Sequence, residues 1–134
     1  MIRVMDSVIV GNNKFKAVFA ITEEEQLRGL MWTKLPTVMA FPFKKSKPTK
    51  FWMKNTLIPL DVLFCNKGKI IECHYGVPLS EKLFGPDAPS DLVIEMPSGY
   101  IEKNNIKIGD EVDLQYSIKT MSKWYTCHTI QRCA

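Results

Sequence analysis

Long hydrophobic runs are missing from this sequence, and so are most short motifs that announce a chemistry. No apolar stretch approaches the roughly 20 residues that a membrane helix needs. The amino-terminal MIRVMDSVIVGNNK alternates, contains Asp6 and lacks the apolar core of a signal peptide, so a cytoplasmic chain with no membrane segment is expected. Neither a Gly-rich phosphate loop nor a G-x-S-x-G elbow occurs. The 4 cysteines, Cys65, Cys73, Cys127 and Cys133, form no C-x-x-C pair. That excludes the usual zinc and thioredoxin spacings and points to free thiols in a reducing compartment. Two Cys–His dipeptides remain, Cys73–His74 and Cys127–His128. Adjacent strand residues face opposite ways, so each dipeptide offers one ligand to any given site. No metal and no cofactor is expected.

Charge of one sign does not dominate either. The net charge of +4 is modest and by itself implies no nucleic-acid partner. Part of the excess is local, in KKSKPTK, where Lys44, Lys45, Lys47 and Lys50 crowd together next to Phe51 and Trp52. A basic surface interleaved with aromatics can hold single-stranded nucleic acid. No helix-turn-helix or RNA-binding motif accompanies the run, which then reads as a solvated loop.

What is present describes a globular domain. At 134 residues, 46% hydrophobic and 24% charged, the chain suits one domain, residues 1–134, with a substantial core. IRVMDSVIV and KFKAVFA read as strands about a GNN turn, with Phe15, Ala17 and Phe19 on one face. Thr22 and Glu25 have the spacing of a capping box, Glu23, Glu24 and Glu25 suit a helix start, and Leu27, Leu30 and Met31 form an apolar stripe. VMAFPF, DVLFCN, KIIECHY and DLVIEMP are further strands. A punctuated loop covers 76–90. Ser98 is placed to cap a short helix in GYIEKNN, Gly109–Asp110 precedes another strand, and the tail KWYTCHTIQRC is expected to pair back on it. The fold class is therefore mainly β: a single-domain sandwich or barrel of about eight to nine strands with two short peripheral helices.

FWMKNTLIPLDVLF, residues 51–64, places Lys54, Asn55, Thr56 and Asp61 among apolar residues, with Pro59 breaking any regular ladder. DVLFCNKGKIIECHY is a hairpin centred on Lys67–Gly68. A loop of two or four residues pairs Phe64 with Ile71, Val62 with Cys73 and Leu60 with Tyr75, giving one wholly apolar face. Asp61 then lies opposite His74. A three-residue bulged loop would mix polar and apolar groups on each face, so the first register is preferred. An Asp–His pair is a candidate acid–base unit, because a carboxylate raises the basicity of an imidazole and fixes its tautomer. The sequence brings no particular nucleophile to it. Asp61 has a second reading, as a latch that accepts orphan backbone N–H groups near an irregular segment. Asn55 suits a bend, Lys54 either an anion or plain extension into solvent, and Trp52 either ligand stacking or core packing.

LRGLM (27–31), FWMKNTLIPLDVLF, IEMPSG (94–99) and NIKIGDEV (105–112) occur in that order. The chain thereby resembles the family called domain of unknown function 192, over about residues 15–112, with a tail at 115–134 beyond the shared motifs. The resemblance implies a compact β-rich domain, often exported or anchored in relatives, with no assigned activity. It marks Trp52, Met53, Lys54, Asn55, Thr56, Pro59, Asp61, Glu95 and Gly99 without giving them roles. Three readings stay open. One is a binding or accessory module for a small molecule or protein, with a cleft near Trp52, Lys54, Asn55, Asp61 and Glu95. The second is an enzyme using Asp61 and His74. The third is a structural or protein-interaction domain in which Asp61 is a backbone latch.

Overall fold

The computed structural model describes residues 6–126. Its strands form two sheets. The smaller contains β1 (Ser7–Val10), β2 (Asn13–Lys16) and β8 (Val112–Gln115) in the order β2-β1-β8, all antiparallel. The larger contains β3 (Val18–Phe19), β4 (Met39–Lys47), β5 (Leu60–Asn66), β6 (Lys69–Gly76) and β7 (Ser90–Pro97), in the order β3-β4-β7-β5-β6. Only the β3–β4 pair is parallel. Helices α1 (Glu23–Arg28), α2 (Tyr100–Lys103) and α3 (Ile118–Thr126) lie between and after the strands. The architecture is the expected mainly-β domain, with two open sheets rather than a closed barrel. None of the described helices is long and apolar enough to cross a membrane.

The five-stranded sheet is covered on both faces. On one, Leu63, Ile94, Met96 and Ala40 pack against Val8, Val10 and Val112 of the small sheet. On the other, Val62, Phe64, Val93 and Phe41 pack beneath Leu30, Phe51 and Met53. Phe51 is the hub of this second cluster, edge-on to Phe41 at 5.1 Å and to Phe64 at 5.9 Å between ring centroids. Burial on both faces explains why LDVLFC in β5 is apolar almost without alternation.

Several local expectations need correcting. KFKAVFA is not one strand: it divides at Ala17 into β2 and β3, which belong to different sheets. The capping box of α1 is present, with Thr22 and Glu25 bonding each other's backbone N–H. The helix is only six residues long, however, and its buried residue is Gln26, while Leu27 is 46% exposed. Lys44, Lys45 and Lys47 extend β4 instead of forming a loop. Lys44 sits over the Trp124 ring at 5.3 Å, and Lys50 bonds Asp87 at 3.0 Å. Residues 118–126 are helix, not a returning strand. Asp6 secures the start of that helix by accepting from the Ser117 N–H at 2.7 Å and the Thr120 hydroxyl at 2.6 Å. Cys127, His128 and Cys133 lie outside the described residues.

The β5–β6 hairpin turns at Lys67–Gly68, with Asn66 opposite Lys69 and Cys65 opposite Ile70, as expected. A bulge then shifts the register by one residue. Beyond it Phe64 opposes Glu72, Val62 opposes His74, and Asp61 opposes Tyr75. The expected Asp61–His74 pair is therefore wrong. The two side chains leave opposite faces of the sheet.

Candidate functional site

Residues 52–59 carry no strand, so FWMKNTLIPLDVLF is not a strand broken at Pro59; β5 begins after the proline. The segment is a series of turns pinned from both sides. Phe51 exchanges two backbone bonds of 2.9 Å with Phe84, and the Met53 N–H donates to Ser80 O at 2.9 Å. From the other side, the Trp32 N–H donates to Asn55 O at 2.9 Å. Asn55 has φ 57°, a left-handed conformation that asparagine tolerates better than most residues. Trp32 has φ 63°, which is uncommon for so bulky a residue. These turns stand the Trp52 and Lys54 side chains side by side, with the Lys54 Nζ 5.1 Å from the centre of the Trp52 ring.

Facing this segment is the end of α1. The Gln26 amide is locked in place: its Nε2 donates to Ala20 O and to Pro42 O, each at 3.1 Å. Gly29 then ends the helix at φ 51° and ψ −130°, with its N–H bonded to Glu25 O at 2.9 Å. A Cβ here would lie 3.4 Å from the edge of the Phe41 ring and 3.8 Å from Glu95 Oε1. Those are ordinary contacts, so it is the positive-φ backbone that explains the glycine of LRGLM. Gly29→Ala is expected to cost roughly 1–3 kcal/mol of unfolding free energy, measured by urea titration.

The floor is Glu95. On β7 it opposes Met39 and Val62, in the middle of the sheet. It is 4% exposed, and among the described residues none donates a hydrogen bond to it. Burial pushes its carboxyl up to about 8, so it is mainly protonated at neutral pH.

Two adjoining cavities result. A narrow one of ≈ 20 Å³ lies among Gln26, Gly29, Trp52, Thr56 and Glu95, with Arg28 and Lys54 the other charged residues lining it. It opens beside a broad one of ≈ 550 Å³ lined by Leu27, Arg28, Met31, Trp32, Trp52, Lys54 and Asn55. Gln26 Oε1 and Trp52 Nε1 are buried and find no partner among the described residues. Buried polar atoms nearly always find one.

Of the residues nominated from sequence, Trp52, Lys54, Asn55 and Glu95 come together here. Asp61 and His74 do not. Asp61 projects from the opposite face of the sheet and its Oδ2 accepts the Gly99 and Ile101 N–H groups, each at 3.0 Å. His74 packs its ring 5.5 Å from Phe64 and 5.4 Å from Phe84, and its Nε2–H donates to the Glu72 carboxylate. Gln26 and Arg28 also line the cavities and were not nominated from sequence. The LRGLM motif was visible, but nothing in the sequence brings it against Glu95. No group of three or more His, Cys, Asp or Glu side chains among the described residues is arranged to hold a metal ion.

Comparison with known proteins gives a family and a fold. The model of a family described as Uncharacterized ACR, domain of unknown function 192, matches residues 7–114. The chain belongs to that family. No curated protein matches it. Among solved structures, it is similar to a protein of unknown function from Novosphingobium aromaticivorans DSM 12444, at 31% identity and a TM-score of 0.75, covering 80% of this chain and 83% of that one. It is also similar to a candidate transcription regulator from Sinorhizobium meliloti 1021, at 25% identity and a TM-score of 0.73, covering 85% of this chain and 97% of the other. Of the motifs that carry the family resemblance, LRGLM and WMKNT wall the two cavities and IEMP supplies Glu95, whereas NIKIGDEV lines neither.

Proposed function

We propose that this protein is a small-ligand-binding module whose site is the paired cavity above Glu95. One observation carries the reading. Gln26 Oε1 and Trp52 Nε1 are buried polar atoms without partners among the described residues, and they share one narrow cavity with the buried Glu95. Leaving each such group unbonded costs about 1–3 kcal/mol, a cost that a ligand would offset on entry. An apolar bowl with a few convergent polar groups is the usual form of a binding site. Trp52, Lys54, Asn55 and Glu95 are the binding residues, joined by Gln26 and Arg28. Asp61 belongs to the fold. The unpaired thiols of Cys65 and Cys73 fit a reducing compartment such as the cytoplasm.

A thermal-shift screen of a metabolite library tests the reading. A true ligand at about a hundredfold excess over its Kd adds roughly 2.7 kcal/mol to the stability of the folded state, a shift of several degrees. The expected hit stabilises the wild type and loses its effect on the Trp52→Ala and Glu95→Gln variants, each first shown to be folded by circular dichroism. A library in which no compound separates wild type from these variants would overturn the proposal.

A further inference from the structure

The narrow cavity makes two opposite demands in one small space. Among the described residues, Gln26 Oε1 is an acceptor without a donor and the Trp52 Nε1–H is a donor without an acceptor. Both residues line that cavity. Gln26 is 3% exposed and cannot turn its amide to present a donor instead, because its Nε2 is committed to Ala20 O and Pro42 O. At ≈ 20 Å³ the cavity holds one group about the size of a water molecule. From this pairing we infer that the ligand is a hydroxylated carboxylate with an apolar body. Its hydroxyl enters the narrow cavity, donating to Gln26 and accepting from Trp52. Its carboxylate stays in the broad cavity against Arg28 and Lys54. The inference rests on the binding reading above and gives its ligand a chemical class.

Other groups fail on size or on hydrogen bonding. A carboxylate or a primary amide is planar and several atoms across, too large for a cavity that admits one. An ammonium has the right size but only donates, so the indole N–H stays unpaired and a further cation joins Arg28 and Lys54. A hydroxyl has one hydrogen to donate and lone pairs to accept with, and so satisfies both atoms at once.

Charge decides the other end of the ligand. Glu95 is mainly protonated at neutral pH, which leaves Arg28 and Lys54 as the charged side chains lining the two cavities. Both are positive, and a carboxylate meets them with charge-assisted bonds. The rest of the broad cavity is Leu27, Met31, Trp32, Trp52 and the Asn55 amide, which suits an apolar body. Its ≈ 550 Å³ has room for a ring.

The test titrates 4-hydroxyphenylacetate, phenylacetate, 4-methoxyphenylacetate and 4-ethylphenol by calorimetry at pH 7, with the indole N–H resonances as a second readout. 4-Hydroxyphenylacetate is expected to bind roughly tenfold more tightly than phenylacetate, which leaves both buried atoms unpaired. It should also shift the Trp52 Nε1–H resonance, assigned by its loss in Trp52→Phe. 4-Methoxyphenylacetate cannot donate and overfills the narrow cavity, so it should bind no better than phenylacetate. 4-Ethylphenol lacks the carboxylate and should bind about tenfold more weakly than 4-hydroxyphenylacetate, without its salt dependence. Trp52→Phe, shown to be folded by circular dichroism, keeps a ring and removes the indole N–H. It should cut the preference for the hydroxyl to about threefold or less. Equal binding of 4-hydroxyphenylacetate and phenylacetate, or a preference that Trp52→Phe keeps in full, overturns the inference. So does 4-ethylphenol binding as tightly as 4-hydroxyphenylacetate. If none of the probes binds while a screened compound of another class stabilises the protein through Trp52 and Glu95, the hydroxylated carboxylate is wrong and the binding reading stands. If no compound gives a response that Trp52→Ala and Glu95→Gln remove, both fall.

Discussion

Asp61→Ala should lower the unfolding free energy by on the order of 4 kcal/mol, in a domain whose total is about 5–15 kcal/mol. The carboxylate is 8% exposed and its Oδ2 accepts two backbone N–H groups, from Gly99 and Ile101. Alanine leaves two part-buried donors without their protein partner. They stand at the start of α2, a helix of four residues whose N-cap, Gly99, has φ 96° and no side chain to cap with. Ser98 was expected to cap this helix; a carboxylate 40 positions away from Ile101 does it instead. The helix must be held, because Tyr100 and Ile101 pack on the core between the sheets. Asp61→Asn keeps an oxygen for both donors and loses only the charge assistance, so about 1–2 kcal/mol is expected. Urea titration of both variants gives the ranking. An alanine variant as stable as wild type would refute the latch.

The latch was one of two readings open in the sequence, and the register that favoured the other failed for an identifiable reason. Alternation selects register when one face of a strand is buried and the other is wet. β5 is buried on both faces, so shifting its partner by one residue still leaves apolar groups opposed to it. The turn at Lys67–Gly68 was legible from its residues. The bulge two residues later has no such mark. The tail failed similarly: KWYT has strand-like composition, but the Asp6 carboxylate that starts α3 comes from the other end of the chain.

The candidate site was legible as a set of residues more than as a place. Trp52, Lys54 and Asn55 lie in one segment, and the turns around them follow from Asn55 and Pro59. That Glu95 joins them while Asp61 does not depends on the β5–β7 register, which sets Glu95 opposite Val62 and Met96 opposite Asp61. Gln26 was hidden for a different reason. A helix of six residues is too short for periodicity to separate its buried face, and Leu27 looked the better core residue.

Glu95→Gln is expected to make the protein more stable at neutral pH and to flatten the dependence of its stability on pH. The folded-state value of about 8 lies well above the 4.5 of a free carboxyl. Between those limits the unfolded chain has lost this proton and the folded chain keeps it. Stability therefore falls as pH rises, by about 1.4 kcal/mol per unit, and levels off above about 8. Below about 4.5 both states are protonated and the penalty vanishes. Glutamine has the shape of the protonated acid and nothing to ionise, so at pH 7 it should recover about 3 kcal/mol. Urea titrations at pH 5 and pH 8 measure the effect. Equal pH slopes in wild type and variant would show that Glu95 is not held protonated. The same substitution should remove ligand binding, so stability and binding are expected to move in opposite directions. A glutamate with a purely structural role would lose stability when changed, whereas one kept at a cost to the fold marks the place where the fold serves a ligand.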